Sequence, residues 1–205
     1  MIKLSVIIPV YNQEQLVIEA LDSIPDRKDI EVIVIDDCSF DDTFAVLRKY
    51  QSKKDFVLLY NLENKGVGYT VNKGIDAALG EYIVLLGSDD YFYKNKLIEA
   101  MDELDGTDMI YFNLQVNDGT IFELNEETKN RFCGSTKFIR RKFIDTTRNQ
   151  EIRACEDRYF YDELQKKNPT EKFTGIVLKH YNYPRENSLS WNVRHGITDK
   201  HGEVK

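Results

Sequence analysis

Apolar positions fall into short solid runs and helically spaced stripes, and the two alternate through the first half of the chain. Leu4-Ser5-Val6-Ile7-Ile8-Pro9-Val10 is almost continuously apolar, as expected of a strand covered on both faces in a parallel sheet. Leu16, Ala20, Leu21 and Ile24 then recur at helical spacing, and Pro25 closes that segment. Val32-Ile33-Val34-Ile35 predicts a second buried strand. Asp41 or Asp42 is placed to cap a helix carrying Phe44, Leu47 and Tyr50. Phe56-Val57-Leu58-Leu59-Tyr60 predicts a third strand. A glycine-bearing loop leads into a helix with Val71, Ile75 and Ala78, and Tyr82-Ile83-Val84-Leu85-Leu86 predicts a fourth strand. This alternation argues for a doubly wound α/β sheet.

The pattern changes after about residue 90. Leu97, Met101 and Leu104 mark one more helix. Met109 to Val116 and Thr120 to Leu124 flank Asn117-Asp118-Gly119, and Asp-Gly between strand-like runs signals a hairpin. Residues 125–150 are polar and basic and give no clear element. Asp157 to Gln165 reads as a helix with Phe160 and Leu164 inward, and Lys172 to Tyr183 as a strand. The tail after Trp191 reads as loosely held. No repeat or low-complexity linker divides the chain. The expectation is one domain over residues 1–205, with a nucleotide-binding half (1–91) merging into a smaller half (92–205).

Composition narrows the classes. The 205 residues are 41% hydrophobic and 31% charged, with a formal charge of −7. An acidic balance disfavours a dedicated nucleic-acid binder. Cys38, Cys133 and Cys155 are odd in number and far apart, so they form neither a metal-ligand pair nor a disulfide framework, and reduced thiols are expected. No apolar run reaches the length of a membrane span. The first strand-like run begins almost at Met1, which leaves no room for a signal peptide. The expected location is therefore cytoplasmic.

In an open parallel sheet, ligands bind outside the carboxyl ends of the strands. Those ends read Pro9-Val10-Tyr11-Asn12, Asp36-Asp37-Cys38-Ser39, Asn64-Lys65-Gly66 and Gly87-Ser88-Asp89-Asp90. Two acidic pairs thus land on one edge. Like charges so placed call for a cation or donor groups. Carboxylates without Cys or paired His point to Mg2+ or Mn2+ rather than zinc.

In order and spacing these segments resemble family 2 glycosyltransferases of the GT-A fold. Ser5-Val6-Ile7-Ile8-Pro9-Val10-Tyr11-Asn12 is similar to that family's opening, and Val34 to Thr43 to its second motif. Asn64-Lys65-Gly66, Asn72-Lys73-Gly74 and Gly80-Glu81-Tyr82-Ile83 are similar to the third, and Leu86-Gly87-Ser88-Asp89-Asp90 occupies the place of the DXD metal motif. The ordered set covers about residues 3–91. Beyond it, Glu156-Asp157 resembles the acidic pair that supplies the catalytic base, and Tyr183 to Ser190 a late motif over the donor diphosphate.

The resemblance implies a Rossmann-like, mostly parallel sheet with a short acceptor-side extension. It implies metal-dependent, inverting transfer from a nucleotide diphosphate sugar, a UDP-sugar by expectation, to a hydroxyl of a glycan or lipid-linked glycan. Pro9, Tyr11 and Asp37 would hold the base, with Asp37 accepting from a uracil N–H. Asn12, Asn64, Gly66, Asn72, Ser88 and Arg185 would complete the donor site, Arg185 against the diphosphate. Asp90 is favoured on the metal and Asp89 near the ribose or sugar, with the order open to exchange. Asp157 would be the general base. Three positions depart from the pattern: Gly87 removes one carboxylate of the DXD cluster, Val71 stands where Arg is common, and Cys155 where Gly is common. The first two motivate the rival reading, a non-catalytic nucleotide-binding module.

Other classes fit less well. A receiver domain needs its acidic pair after the first strand, where this chain has Pro9-Val10-Tyr11-Asn12, and a nicotinamide dehydrogenase needs a G-x-G-x-x-G that is absent there. Gly66 and Gly74 read as turn or close-packing glycines, Cys38 and Cys155 as small fillers, and His180, His195 and His201 as surface or tail residues. The basic run Lys137, Arg140, Arg141 and Lys142 reads as a solvated face, with peripheral contact to anionic lipid as its functional alternative. The aromatic content, 12 Tyr and 11 Phe, leaves room for a homo-oligomer.

Overall fold

The computed structural model describes residues 1–131, 135–151 and 156–184. The first half runs β1 (Leu4–Val10), α1 (Val17–Asp22), β2 (Ile30–Asp36), α2 (Thr43–Tyr50), β3 (Val57–Tyr60), α3 (Val67–Ala77) and β4 (Tyr82–Leu85). The second half adds β5 (Tyr91–Phe92), α4 (Lys94–Asp102), β6 (Met109–Val116), β7 (Ile121–Phe122), β8 (Lys137–Arg140), α5 (Arg141–Ile144), α6 (Glu156–Gln165) and β9 (Glu171–Tyr181). Among the described residues these nine strands form one sheet in the order β3-β2-β1-β4-β8-β6-β9-β5, with β7 hydrogen-bonded beside β6.

The first four strands are parallel. Beyond them the sheet is mixed. β8 runs antiparallel to both β4 and β6, β9 is parallel to β6, and β5 is antiparallel to β9. The mostly parallel sheet expected from the sequence therefore holds for the first half, and the second half corrects it.

Alternation along β1 explains the two covered faces. Leu4, Val6, Ile8 and Val10 point to a cluster with Val17 and Leu21 of α1, Leu47 of α2, and Leu97 and Met101 of α4. Ile7 points the other way, with Ile33 and Ile35 of β2, onto Val71 and Ile75 of α3 and Phe160, Tyr161 and Leu164 of α6. Burying each such side chain stabilises the fold by about 1.5–3 kcal/mol. Gly74 lets α3 lie close to the sheet. A Cβ there would stand 2.5 Å from Ile7 Cγ2 and 2.9 Å from Ile35 Cδ1.

The hairpin forms as expected, with Gly119 at φ 86° and its amide donating to Val116 O at 2.9 Å. Asp42 occupies the N-cap position of α2 without a side-chain bond, whereas Asp41 Oδ1 accepts from Thr43 N at 3.0 Å. β3 is the sheet's edge, with Val57 and Tyr60 about half exposed. Residues 125–150 contain β8 and α5, which the sequence pattern did not reveal.

The basic run is not a single solvated face. Lys137 is buried, its ammonium 4.6 Å from the Tyr161 ring centroid and 5.4 Å from that of Tyr111. Arg140 Nη1 and Arg141 Nε donate to Gly106 O and Gly80 O. His180 is half-buried and stacked on Tyr91, with ring centroids 4.5 Å apart. Cys38 is exposed, which corrects its reading as a packed filler.

Candidate active site

The chain passes outward through β1, β2 and β3, then returns to place β4 on the other side of β1. That reversal opens a crevice at the carboxyl ends of β1 and β4. β1 and β4 pair only as far as Ile7 and Leu85, with Leu86 N donating to Ile7 O as the last bond. Pro9, two residues on, would present its missing N–H on that same side. A proline is tolerated there because β4 has already diverged.

The β2 end is held by its own carboxylates. Asp36 is buried, and its oxygens accept from Ser39 Oγ at 2.5 Å and Ser39 N at 3.3 Å. Burial pushes its carboxyl up, against the pull of the Ser39 hydroxyl and amide. The turn places Cys38 at φ 61°. Asn12, at φ 52°, donates its amide to Ser39 Oγ at 2.9 Å and accepts from Phe40 N at 3.0 Å. This brings Tyr11 and Phe40 together edge to face, with centroids 6.0 Å apart. Phe40 is 83% exposed and Tyr11 40% exposed, so two rings stand in solvent at the crevice rim.

Asp37 is 4% exposed and organises the loop before α3. Its Oδ1 accepts from Asn61 Nδ2 at 2.8 Å and Lys65 N at 2.9 Å, and its Oδ2 from Gly66 N at 2.8 Å. Gly66, at φ 84°, then starts the helix. A carboxylate accepts about four bonds, so three of the positions on Asp37 are already used inside the protein. Asn64 is half-buried in the same loop.

The β4 end carries the second acidic pair. Asp90 N donates to Gly87 O at 3.0 Å, which closes the turn. Ser88 is buried, Asp89 half-buried and Asp90 3% exposed. Asp90 Oδ2 lies 2.7 Å from Lys179 Nζ, and Asp90 Oδ1 accepts from Asn182 N at 2.9 Å. Burial, with the Asp89 charge beside it, pushes the Asp90 carboxyl up, opposed by the Lys179 ammonium and the Asn182 amide. Of the two carboxylates Asp89 is the more accessible.

Asn72 is bonded within the protein. It is buried in α3, where its Oδ1 accepts from Asn149 N at 2.8 Å and Asn149 Nδ2 at 3.1 Å, and its Nδ2 donates to Asn149 O at 2.9 Å. It clamps residue 149 against α3. Val71 packs in the core beside Ile75. Asp157 sits half-buried in the first turn of α6. It lies four residues before Tyr161 and seven before Leu164, both buried in the sheet-facing cluster, so it shares their side of the helix.

Pro9, Tyr11, Asn12, Asp37, Ser88, Asp89 and Asp90 thus lie at or just beyond the carboxyl ends of β1, β2 and β4, with Gly66 tied to Asp37. Arg185, His195, His201, Cys133, Cys155 and the side chain of Glu156 lie outside the described residues. The sequence pattern does not point to Lys179 or Asn149. Lys179 follows Leu178 in a strand-like run, and nothing in that pattern marks a lysine as buried.

The fold and this edge define a GT-A glycosyltransferase architecture. Residues 5–163 match the model of glycosyl transferase family 2, and the chain belongs to that family. It is 36% identical over 110 residues to the poly(ribitol-phosphate) beta-N-acetylglucosaminyltransferase TarS of Staphylococcus aureus, covering 51% of this chain and 19% of that one. It is 28% identical to the putative teichuronic acid biosynthesis glycosyltransferase TuaG of Bacillus subtilis, covering 92% and 81%. The crystal structure of TarS 1–349 with UDP-GlcNAc superposes with a TM-score of 0.81 at 24% identity, over 92% of this chain and 61% of that one. The mannosyltransferase PcManGT of Pyrobaculum calidifontis, solved with GDP-Man and Mn2+, gives 0.74 at 19% identity, over 95% and 61%. The chain thus spans well under half of TarS, the aligned 110 residues covering about a fifth of it and the superposed chain 37% of the TarS structure.

Proposed function

We propose that the chain is a glycosyltransferase that moves a sugar from a nucleotide diphosphate sugar, UDP-linked, to a hydroxyl of a glycan or glycoconjugate with inversion. The observation that carries this reading is the juxtaposition at the strand reversal of the exposed Tyr11–Phe40 pair with the carboxylates that end β2 and β4. An aromatic rim offers a face for a nucleobase. Asp37 has an acceptor position left for a base N–H, and its three internal bonds hold the loop against which that base would rest.

The residues fit a hard divalent ion in its minimal form. Mg2+ and Mn2+ suit oxygen ligands, and Mg2+ in particular uses one or two carboxylates and fills its shell with phosphate oxygens and water. Among the described residues no group of three or more His, Cys, Asp or Glu could hold such an ion alone. Asp89 would contact it, with the donor diphosphate completing the shell. When bound, the ion stabilises negative charge on the departing nucleoside diphosphate.

Asp157 is proposed as the general base that takes the acceptor's proton as the new bond to the anomeric carbon forms. Its place on the sheet-facing side of α6 supports that role, and α6 packs on α3, which descends from the donor loop. Among the described residues no helix is long and apolar enough to cross a membrane. The exposed thiol of Cys38 suits a reducing, cytoplasmic setting. Asp157→Asn is expected to bind UDP as wild type does and to lose turnover.

The first test is thermal unfolding with UDP, GDP, CMP or ADP, each with Mn2+, Mg2+ or chelator. Ligand at about 100 times its dissociation constant adds roughly 2.7 kcal/mol, a shift of about 5–10 °C at this size. No shift with any nucleotide would overturn the donor reading. Gly87 and the core-packed Val71 favour the second reading, a nucleotide-binding module without transfer. It predicts the UDP shift but no sugar transfer to any hydroxyl acceptor.

A further inference from the structure

The charge on Asp90 is already answered from within the protein. Lys179 is completely buried. Its Nζ lies 2.7 Å from Asp90 Oδ2, donates to Ser135 Oγ at 2.6 Å and sits 5.2 Å from the Tyr181 ring centroid. The other oxygen of Asp90 accepts from Asn182 N. An ion bound to Asp90 Oδ2 at about 2.1 Å would stand within about 5 Å of a buried ammonium, and the two cations would repel through a medium that screens poorly.

Gly87 belongs to the same arrangement. A Cβ at residue 87 would stand 2.7 Å from Asp90 Oδ2 and 3.0 Å from Asp89 Oδ1. The absent side chain is what lets Asp90 fold over the turn toward Lys179. The departure at residue 87 and the buried lysine on β9 are two halves of one packing solution, separated by more than ninety residues of chain.

We propose that Lys179 is the resident counter-cation of the carboxyl pair. It keeps Asp90 out of divalent-ion binding and makes it a positioning residue that fastens the β4 turn to β9 and Asn182. The edge then meets a metal through Asp89. This rests on the reading of the edge as a metal–diphosphate site. It adds that the metal demand of the site is set by a lysine outside every recognisable motif.

The test is a Mn2+ titration of the full chain, followed by the electron paramagnetic resonance signal of the free ion at about pH 8. Wild type is compared with Asp90→Asn, Lys179→Met and the double variant, and UDP uptake is measured on the same samples. Lys179→Met is expected to tighten Mn2+ binding by about tenfold, and the double variant to lose that gain. Asp90→Asn alone is expected to leave Mn2+ affinity within about fivefold of wild type. A larger loss in Asp90→Asn, or a folded Lys179→Met with no gain, overturns the proposal. Should Lys179→Met not fold, the Asp90→Asn comparison decides alone. The expected Mn2+ pattern without UDP uptake would sink the nucleotide reading and leave this one standing. UDP uptake with Mn2+ binding lost in Asp90→Asn would do the reverse.

Discussion

Asp37→Asn separates two jobs that one carboxylate is asked to do. In the protein its oxygens accept from Asn61 Nδ2, Lys65 N and Gly66 N at 2.8–2.9 Å while the side chain is 4% exposed. Asparagine has the same shape but only one acceptor oxygen. Keeping that oxygen toward Asn61 and Lys65 turns the new NH2 group onto the Gly66 N–H, donor against donor. The charge-assisted bond to the Gly66 N–H is lost, leaving that buried amide orphaned at about 1–3 kcal/mol, and the two bonds that remain lose their charge assistance at about 1 kcal/mol each. Allowing for partial relaxation, the net loss is about 2–4 kcal/mol, a fall of about 5–15 °C in Tm for a chain of this size. Thermal and urea unfolding read the loss directly, and amide exchange at Lys65 and Gly66 locates it in the loop. A variant whose Tm is unchanged but which no longer binds UDP would refute the reasoning, because the carboxylate would then serve the ligand and not the loop.

Three further outcomes follow from the packing. Burial raises the Glu171 carboxyl, but the Lys129 ammonium with the Tyr111 hydroxyl and Gln165 amide hold it below its ordinary value. A group depressed in the folded state stabilises above its unfolded pKa of about 4.3 and loses that contribution as pH falls through the folded one. Wild type should therefore lose more stability than Glu171→Gln between about pH 5 and 3, as followed by urea midpoints. Gly74→Ala should cost about 1–3 kcal/mol from overpacking against Ile7 and Ile35, read in the same assay. Asn72→Ala should cost a similar amount, about 1–3 kcal/mol, by leaving the buried Asn149 amide without its acceptor, and should speed exchange at that amide.

The parallel half of the sheet was legible because its strands are solid apolar runs between helical stripes, and the crevice because ligand sites follow strand ends. Legibility failed where a polar residue is buried or an apolar one exposed. β8 reads as Lys-Phe-Ile-Arg, yet Lys137 lies among tyrosine rings and the strand joins the two halves of the sheet. β3 looks as apolar as β2, but composition does not say which strand has no neighbour. Asn72 sits in a motif and serves Asn149, because a side-chain amide takes whichever partner the tertiary fold brings to it. Lys179 was invisible for the same reason: its counter-charge is on another strand.

The position of β8 also bears on how the chain forms. The edge of β4 that β8 covers is complete as soon as residue 85 has been made, but its partner, residues 137–140, is about fifty residues further on. At ribosomal rates of about 5–20 residues per second, that edge waits roughly 3–10 s with its backbone unpaired. During synthesis the nascent first half is a sheet with two open sides, β3 and β4, and only one of them is permanent. A fragment ending near residue 91 would keep both, and would be expected to associate through β4 unless a strand is supplied to it in trans.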